Sequence, residues 1–513
     1  MPERKTKNKR FVGLRNPAFS VASSSTLPPA PALESLRMQI GLSPLSKFAL
    51  KFSLTVTVLV MTGCVSTPPS QVEELKVEVP ASWQSGASGD AFNPQSWMKD
   101  FGDPQLVEIM RDALEHNFGL MVAEARRDAA IAGTFSSRSA FWPTLNGSGG
   151  KNESRRNSSS GIQQTPVNRS YSLTGRFNWE IDLWGKLRNG YRGDLADAEA
   201  ALADFEATRL SIAGRTAQAW YNAIEAEQQL ELAKRTLDAF NTSQRIVEET
   251  FEQGIGSALD VRLIRANLAS AASSYELRLR NRDESVRSLE VFLGRYPKGE
   301  LAVAKDWPEI GYTVPAGLPT DLLLRRPDVM AAERGLAAAQ QRKFEAKKAM
   351  LPNLSLTLTR GTSDQFADNL LDLDGRRVWS RVWNLSQPLF QGGRLKANKE
   401  RAEANHRLAI ANFTNTALTA FKEVEVALSE QSSYSRDFEF QEIAAEESLA
   451  AEGLAWEQYE NGLVDITTAL DSVRRSISAQ RSLITTTNRR IQSRIDLYLA
   501  LGGGFSFEPA EEN

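Results

Sequence analysis

The stretch YSLTGRFNWEIDLW, Tyr171 to Trp184, decides how the rest of the chain is read. Tyr171, Leu173, Phe177, Trp179, Ile181 and Leu183 alternate with Ser172, Thr174, Arg176, Asn178, Glu180 and Asp182. That period of two puts the apolar set on one side of a strand and the polar set on the other. A face carrying Arg176, Glu180 and Asp182 makes a poor core, so it meets water. The apolar face then needs either a packed core or lipid. Lipid admits only helices and closed barrels, because an open sheet edge leaves backbone groups unsatisfied. A second hairpin follows later: Leu354, Leu356 and Leu358 alternate with Ser355, Thr357 and Thr359, and Val378–Phe390 is its partner, with Arg381 interrupting the pattern. Two hairpins give four strands, and the smallest membrane barrels have about eight. Closure therefore calls for several chains. Trp142, Trp179, Trp184, Trp379 and Trp383 lie in or beside these segments, where membrane barrels carry their aromatic girdles.

Around the strands the chain repeats itself. Phe251-Glu252-Gln253-Gly254-Ile255 returns as Tyr459-Glu460-Asn461-Gly462-Leu463, Gly185-Lys186-Leu187 as Gly393-Arg394-Leu395, and Leu293-Gly294 as Leu501-Gly502. Each pair is 208 residues apart, so two copies of one unit align without a gap. In each copy a short helix and an Ala-rich helix, stopped by Pro143 or Pro352, precede the hairpin. The polar loops Asn152–Gly161 and Thr362–Arg376 join the strands. After Gly185, Leu187, Tyr191, Leu195, Ala198, Leu202 and Phe205 keep three-four spacing, and no proline intervenes before Gly254. Such spacing predicts a coiled-coil seam on a helix about 100 Å long. Gly393 to Gly462 gives the same span, and each long helix turns at its glycine and returns. Rods of that length pack side by side in a bundle or barrel.

The sequence excludes most catalytic chemistry. One cysteine and two histidines among 513 residues leave no disulfide within the chain and no Cys/His zinc cluster. No phosphate-cradling glycine motif occurs, and a net charge of −2 leaves no footprint for nucleic acid. The apolar run FALKFSLTVTVLVMTG, Phe48 to Gly63, ends at Cys64 and reads as a secretory signal closing on a lipoprotein box, Met61-Thr62-Gly63-Cys64. Cys64 is then the residue expected to carry a covalent lipid; no other cofactor is expected. The segment before the run is long for a signal, and Met38 is the expected true start. Beyond Cys64 no run approaches the roughly 20 apolar residues of a membrane-spanning helix.

Several motifs, in order and across both copies, carry a resemblance. They are Trp179-Glu180-Ile181-Asp182-Leu183-Trp184-Gly185-Lys186-Leu187, Leu324-Arg325-Arg326-Pro327-Asp328-Val329, Leu351-Pro352-Asn353-Leu354-Ser355-Leu356 and Pro388-Leu389-Phe390-Gln391-Gly392-Gly393-Arg394-Leu395. From Cys64 to Gly504 the chain resembles the TolC-like outer membrane factors, in particular the lipidated NodT/OprM-type channels of resistance-nodulation-division efflux systems. The resemblance implies a mainly α fold with a membrane β part: a homotrimer with a twelve-stranded β-barrel continued by a twelve-helix α-barrel. It also implies outer membrane lipid, a periplasmic adaptor protein and an inner membrane pump as partners.

The expected layout is a leader, 1–63, a lipidated segment, 64–103, and repeat one, 104–300, with a hairpin near 143–184 and helices near 186–252 and 258–294. A linker, 301–316, precedes repeat two, 317–504, with a hairpin near 352–390 and helices near 394–460 and 465–501; 505–513 form a tail. The family narrows its duct where the helices turn and places acidic rings and a tyrosine-centred network there. Asp260, Asp465, Asp471, Tyr459 and Thr468 are the expected aperture residues. Asp260 and Asp471 match family positions, whereas Thr468 replaces the second copy's equivalent of Asp260, and Val464 replaces an arginine found in some members. Gly254, Gly462 and Ser257 are the expected turn and adaptor contacts, although a simple capping role accounts for them equally well. Gly185, Gly392 and Gly393 sit where strand becomes helix. The function expected is passive conduction of small exported solutes. A non-conducting lipidated coiled-coil scaffold, and a duct for metal efflux or type I protein secretion, remain alternatives.

Overall fold

The computed structural model describes residues 66–77, 79–85, 99–155, 167–308, 317, 319–371 and 377–503. Cys64, the leader, positions 309–316 and the tail 505–513 lie outside the described residues. Four strands form one antiparallel sheet in chain order: β1 (Thr144–Ser154), β2 (Asn168–Ile181), β3 (Asn353–Asp364) and β4 (Arg377–Ser386). Both hairpins of the duplicated unit thus share a sheet, joined where β2 meets β3. The register sorts the faces. Leu145, Phe177 and Leu358 lie in one row with Arg381; Trp179, Leu356 and Trp383 form another, and Ile181, Leu354 and Leu385 a third. The opposite face runs through Asn146, Arg176, Thr359 and Ser380, then Asn178, Thr357 and Val382, then Glu180, Ser355 and Asn384. Trp379, Trp383, Leu385 and Leu145 are all more than half exposed. Among the described residues, β1 and β4 each keep one edge without a partner.

The expected polar loops begin later than their composition suggests. Asn152–Ser154 pair with Asn168–Ser170, and Thr362 and Ser363 continue β3. The ladder of β2 recruits these residues, and propensity gives way to register.

Helices follow in the order α1 (Pro104–His116), α2 (Phe118–Ser139), α3 (Lys186–Glu252), α4 (Ala258–Phe292), α5 (Pro319–Arg325), α6 (Pro327–Lys348), α7 (Arg394–Glu460) and α8 (Ile466–Ala500). At 67 residues each, α3 and α7 extend about 100 Å. Near the sheet the packing order is α2, α3, α6, α7; beyond it the order is α4, α3, α8, α7. Either level is a single layer of four helices.

The seam expected from Leu187 to Phe205 is not the tightest contact of α3. Gly193 and Ala196 are buried against Ala337 and Ala338 of α6, and the buried Asn189 accepts from Lys348 of the same helix. Small residues let the two backbones approach closely. Of the expected stripe only Ala198 is buried and Leu202 is exposed; the larger side chains turn to α2 and the residues just after it, where Tyr191 meets Phe141 edge-on at 5.7 Å and Phe205 lies 4.7 Å under Arg127. Midway along the rods, Trp220, Tyr221, Phe413, Leu106, Met110, Ile491 and Ile495 form the main core with Trp83 and Phe101. Arg326 of the Leu324–Val329 motif locks this belt, reaching Asp328 at 2.7 Å, Glu423 at 2.7 Å and the Ala500 carbonyl at 3.1 Å.

Candidate functional site

Two places concentrate specific geometry: the strand-to-helix junction and the helix turns at the far end of the rods. At the junction Gly185 has φ +75° and begins α3 in the left-handed region, where a side chain would be strained. Gly393 does the same for α7 at φ +82°, preceded by Gly392 at +57°. Asp182 makes the first junction firm. Its carboxylate accepts from the amide of Leu187 at 3.1 Å and of Arg188 at 2.9 Å, satisfying two donors of the first helical turn. Lys186 reaches Glu180 at 2.5 Å. Among the expected girdle residues, the Trp179 indole donates to the Phe141 carbonyl at 2.9 Å and the Trp184 indole to the Pro352 carbonyl at 2.7 Å. Trp142, Trp379 and Trp383 are more than half exposed.

At the far end, α3 stops at Gly254, φ +79°, and α7 at Gly462, φ +72°. Each αL glycine closes its helix with a bond to the third residue back, Gly254 to Phe251 and Gly462 to Tyr459, both at 2.9 Å. Ser257 caps α4, accepting from Leu259 at 3.1 Å, while Asp260 accepts from the Ser257 amide at 3.4 Å to complete a capping box. Asp465 caps α8 and accepts three bonds: from the Thr467 hydroxyl at 2.7 Å and from the Thr468 amide and hydroxyl at 2.8 Å each. The Thr467 hydroxyl first, then both Thr468 donors, hold the Asp465 carboxyl below the usual aspartate range. Asp471 bridges to Arg475 at 2.8 Å and to Arg474 at 3.6 Å, and the Arg475 guanidinium depresses its pKa.

Tyr459 packs edge-on against Trp456 at 5.7 Å, beside a cluster of Phe240, Val247, Val261, Ile264, Ile466 and Leu470 drawn from the helices of both copies. Burial raises the pKa of its hydroxyl, and the charge of Asp260 adds to that. Tyr459 and Asp260 are therefore electrostatic neighbours across the two copies, while Asp465 and Asp471 each keep local partners.

Sequence reasoning did not single out Gly256, Arg474, Arg475 or the capping action of Asp182. Gly256 donates to the Thr250 carbonyl at 3.1 Å, alongside Ile255. A Cβ there would stand 3.0 Å from the Phe251 nitrogen. The signal was present in part, since Gly-Ile-Gly differs from Gly-Leu-Val in the other copy, but the close approach is visible only in three dimensions.

An open sheet with an apolar face, continued by a layer of long helices, is the architecture of an envelope-spanning channel subunit. The family model described as outer membrane efflux protein matches residues 109–295 and again 318–503, one match for each copy of the repeat. The solvent efflux pump outer membrane protein SrpC of Pseudomonas putida is 30% identical over 464 residues, 87% of this chain and 97% of the relative. The open state of the Neisseria gonorrhoeae MtrE outer membrane channel superposes with a TM-score of 0.75 at 27% identity, covering 86% of this chain and 98% of that one. The Campylobacter jejuni CmeC outer membrane channel shares the fold, with a TM-score of 0.79 at 24% identity over 86% of this chain and 95% of that chain. The chain belongs to the outer membrane efflux protein family: it is an outer membrane channel component and not an enzyme.

Proposed function

We propose that three copies of this chain close into a twelve-stranded barrel continued by a twelve-helix duct. The duct passively conducts small solutes out of the cell. One observation carries this reading: the sheet has an apolar face and two open edges, and a membrane tolerates neither edge. Apolar side chains left exposed on the helices support it, among them Phe118, Met121 and Phe135 on α2 and Phe440, Ile443, Leu449 and Leu454 on α7. Energy comes from an inner membrane pump of the resistance-nodulation-division class, joined through a periplasmic adaptor that meets the turns at Gly254, Ser257 and Gly462. Asp260, Asp465, Asp471, Tyr459 and Thr468 line the aperture there. The five tryptophans anchor the sheet at the membrane surfaces, and Cys64 carries the lipid. The solvent-exporting relative makes small organic compounds the expected cargo. Planar-bilayer recording of the purified protein, with native mass measurement, tests the assembly. Stable conductance from a species of three chains is expected; a silent, water-soluble monomer would overturn it.

A further inference from the structure

The apolar face of the sheet is not uniformly apolar. Arg360 lies directly opposite Trp379, and Arg381 opposite Leu358. The two arginines are therefore diagonal neighbours on one face, about 7–8 Å apart at the backbone. Both are exposed, in rows bounded by Leu356, Leu358 and Trp383. Among the described residues neither makes an ion pair. The carboxylates that share this face are occupied: Glu153 bridges Lys151 at 2.8 Å and Arg169 at 3.1 Å, and Asp364 accepts from the Phe366 amide at 2.8 Å and from Asn369 at 3.0 Å.

Resting on the barrel reading above, we propose that Arg360 and Arg381 form a binding site for the phosphate of an anionic lipid in the outer half of the membrane. An unpaired charge on a lipid-facing strand is costly near the midplane and tolerable near a headgroup. Arg360 is six residues along β3 from Leu354, about 20 Å of strand, or roughly 15 Å of height at the tilt of a membrane barrel. In an apolar band about 25 Å tall this passes the midplane, on the side away from the helices. Arg381, level with Leu358 four residues from Leu354, starts about 10 Å up, close to the midplane, and long arginine stems carry both guanidinium groups further toward the surface. Two planar forks at this spacing suit a phosphate, which each can bind through paired N–H donors. Trp379, opposite one arginine and two residues from the other, supplies the amphipathic neighbour expected at that depth.

The test uses the full-length protein reconstituted into vesicles of phosphatidylcholine alone or mixed with phosphatidylglycerol. Lipids retained by the assembled protein are measured by native mass spectrometry. Wild type should retain phosphatidylglycerol over phosphatidylcholine by about thirtyfold, the sum expected of two arginines near a headgroup. R360Q/R381Q should lose that preference while keeping its assembly and conductance, and R176Q, on the polar face, should keep the preference. Equal retention of both lipids by wild type, or an unchanged preference in R360Q/R381Q, would overturn the site and leave the barrel standing. Dissociation of R360Q/R381Q would assign the arginines to a contact between copies instead. Failure of wild type to insert into either bilayer would refute the barrel reading itself.

Discussion

In the first copy of the repeat the strand becomes a helix under the hold of Asp182, which satisfies two amides of the first turn of α3. In the second copy the same place is taken by Phe390, 88% exposed, and α7 begins on Gly392-Gly393 without any side-chain cap. One feature survives in both copies by different chemistry. The Trp179 indole donates to the Phe141 carbonyl in the first, and the Gln387 amide donates to the Met350 carbonyl at 3.0 Å in the second. At the far end the contrast recurs. Gly256 folds down onto the end of α3, whereas Val464 stands in its place after α7 and α8 relies on a charged cap, Asp465. Duplication conserved the path of the backbone and left each copy free to stabilise it separately.

That contrast can be broken most severely at the junction. Asp182→Ala removes two charge-assisted hydrogen bonds and should cost about 2–3 kcal/mol of local stability. Hydrogen exchange at Leu187 and Arg188 would report it. Phe390→Ala should stay within about 0.5 kcal/mol, because the side chain is exposed. Equal effects from the two substitutions would remove the distinction between the copies.

Gly256→Val comes next, at about 1–2 kcal/mol, since its Cβ would crowd the Phe251 backbone. Val464→Gly should cost less than about 1 kcal/mol, mostly through chain entropy. Denaturant midpoints of the assembled protein, read from a probe at each turn, check the order.

Acid should then separate the turns. Asp465 titrates below its ordinary value of 3.8 in the folded chain, so its stabilisation is complete above that value and is lost as pH falls through the lower folded one. The α4 cap depends less on charge: the Ser257 hydroxyl holds the Leu259 amide, and the Asp260 carboxylate accepts one bond, at 3.4 Å, where Asp465 accepts three. Exchange at residues 465–469 should therefore accelerate relative to residues 257–261 as pH drops below 3.8, after correction for intrinsic rates. Asp465→Asn should abolish the difference, and a ratio independent of pH would count against the charged cap.

The smallest expected effect is on ion selectivity. Asp471 is flanked by Arg474 and Arg475, so in the proposed trimer three such clusters would carry net positive charge around the duct. R474Q/R475Q should move the reversal potential in a salt gradient toward cation preference, and Asp471→Ala should move it the opposite way. Identical reversal potentials in both variants would place the cluster away from the ion path.

Much of this was legible in residue order, and unevenly so. β2 announced itself because its two faces meet different solvents, and that difference writes a period of two into the chain. β1, TLNGSGGKNES, has a single apolar side chain and three glycines. It is a strand because β2 offers it a ladder. The Leu187–Phe205 stripe marked α3 as a helix but did not point to its closest contact, since glycine and alanine leave little hydrophobic signal. Ser257 with Asp260 could be read as a capping box from spacing alone, and the structure has one. The Asp471 salt bridges were equally local, at spacings of three and four, yet they attract notice only once the helix start is fixed.

The sequence by itself determined the duplication and the alternation of long helices with hairpins, because each is written in neighbouring residues or in a constant offset. Only the tertiary structure decided that the two hairpins share one sheet, that Asp182 holds the Leu187 amide of the next helix, and that Tyr459 of one copy packs into a cluster with Val261 and Ile264 of the other. Register, close approach and electrostatic pairing act through space between segments far apart in the chain, and local periodicity carries no record of them.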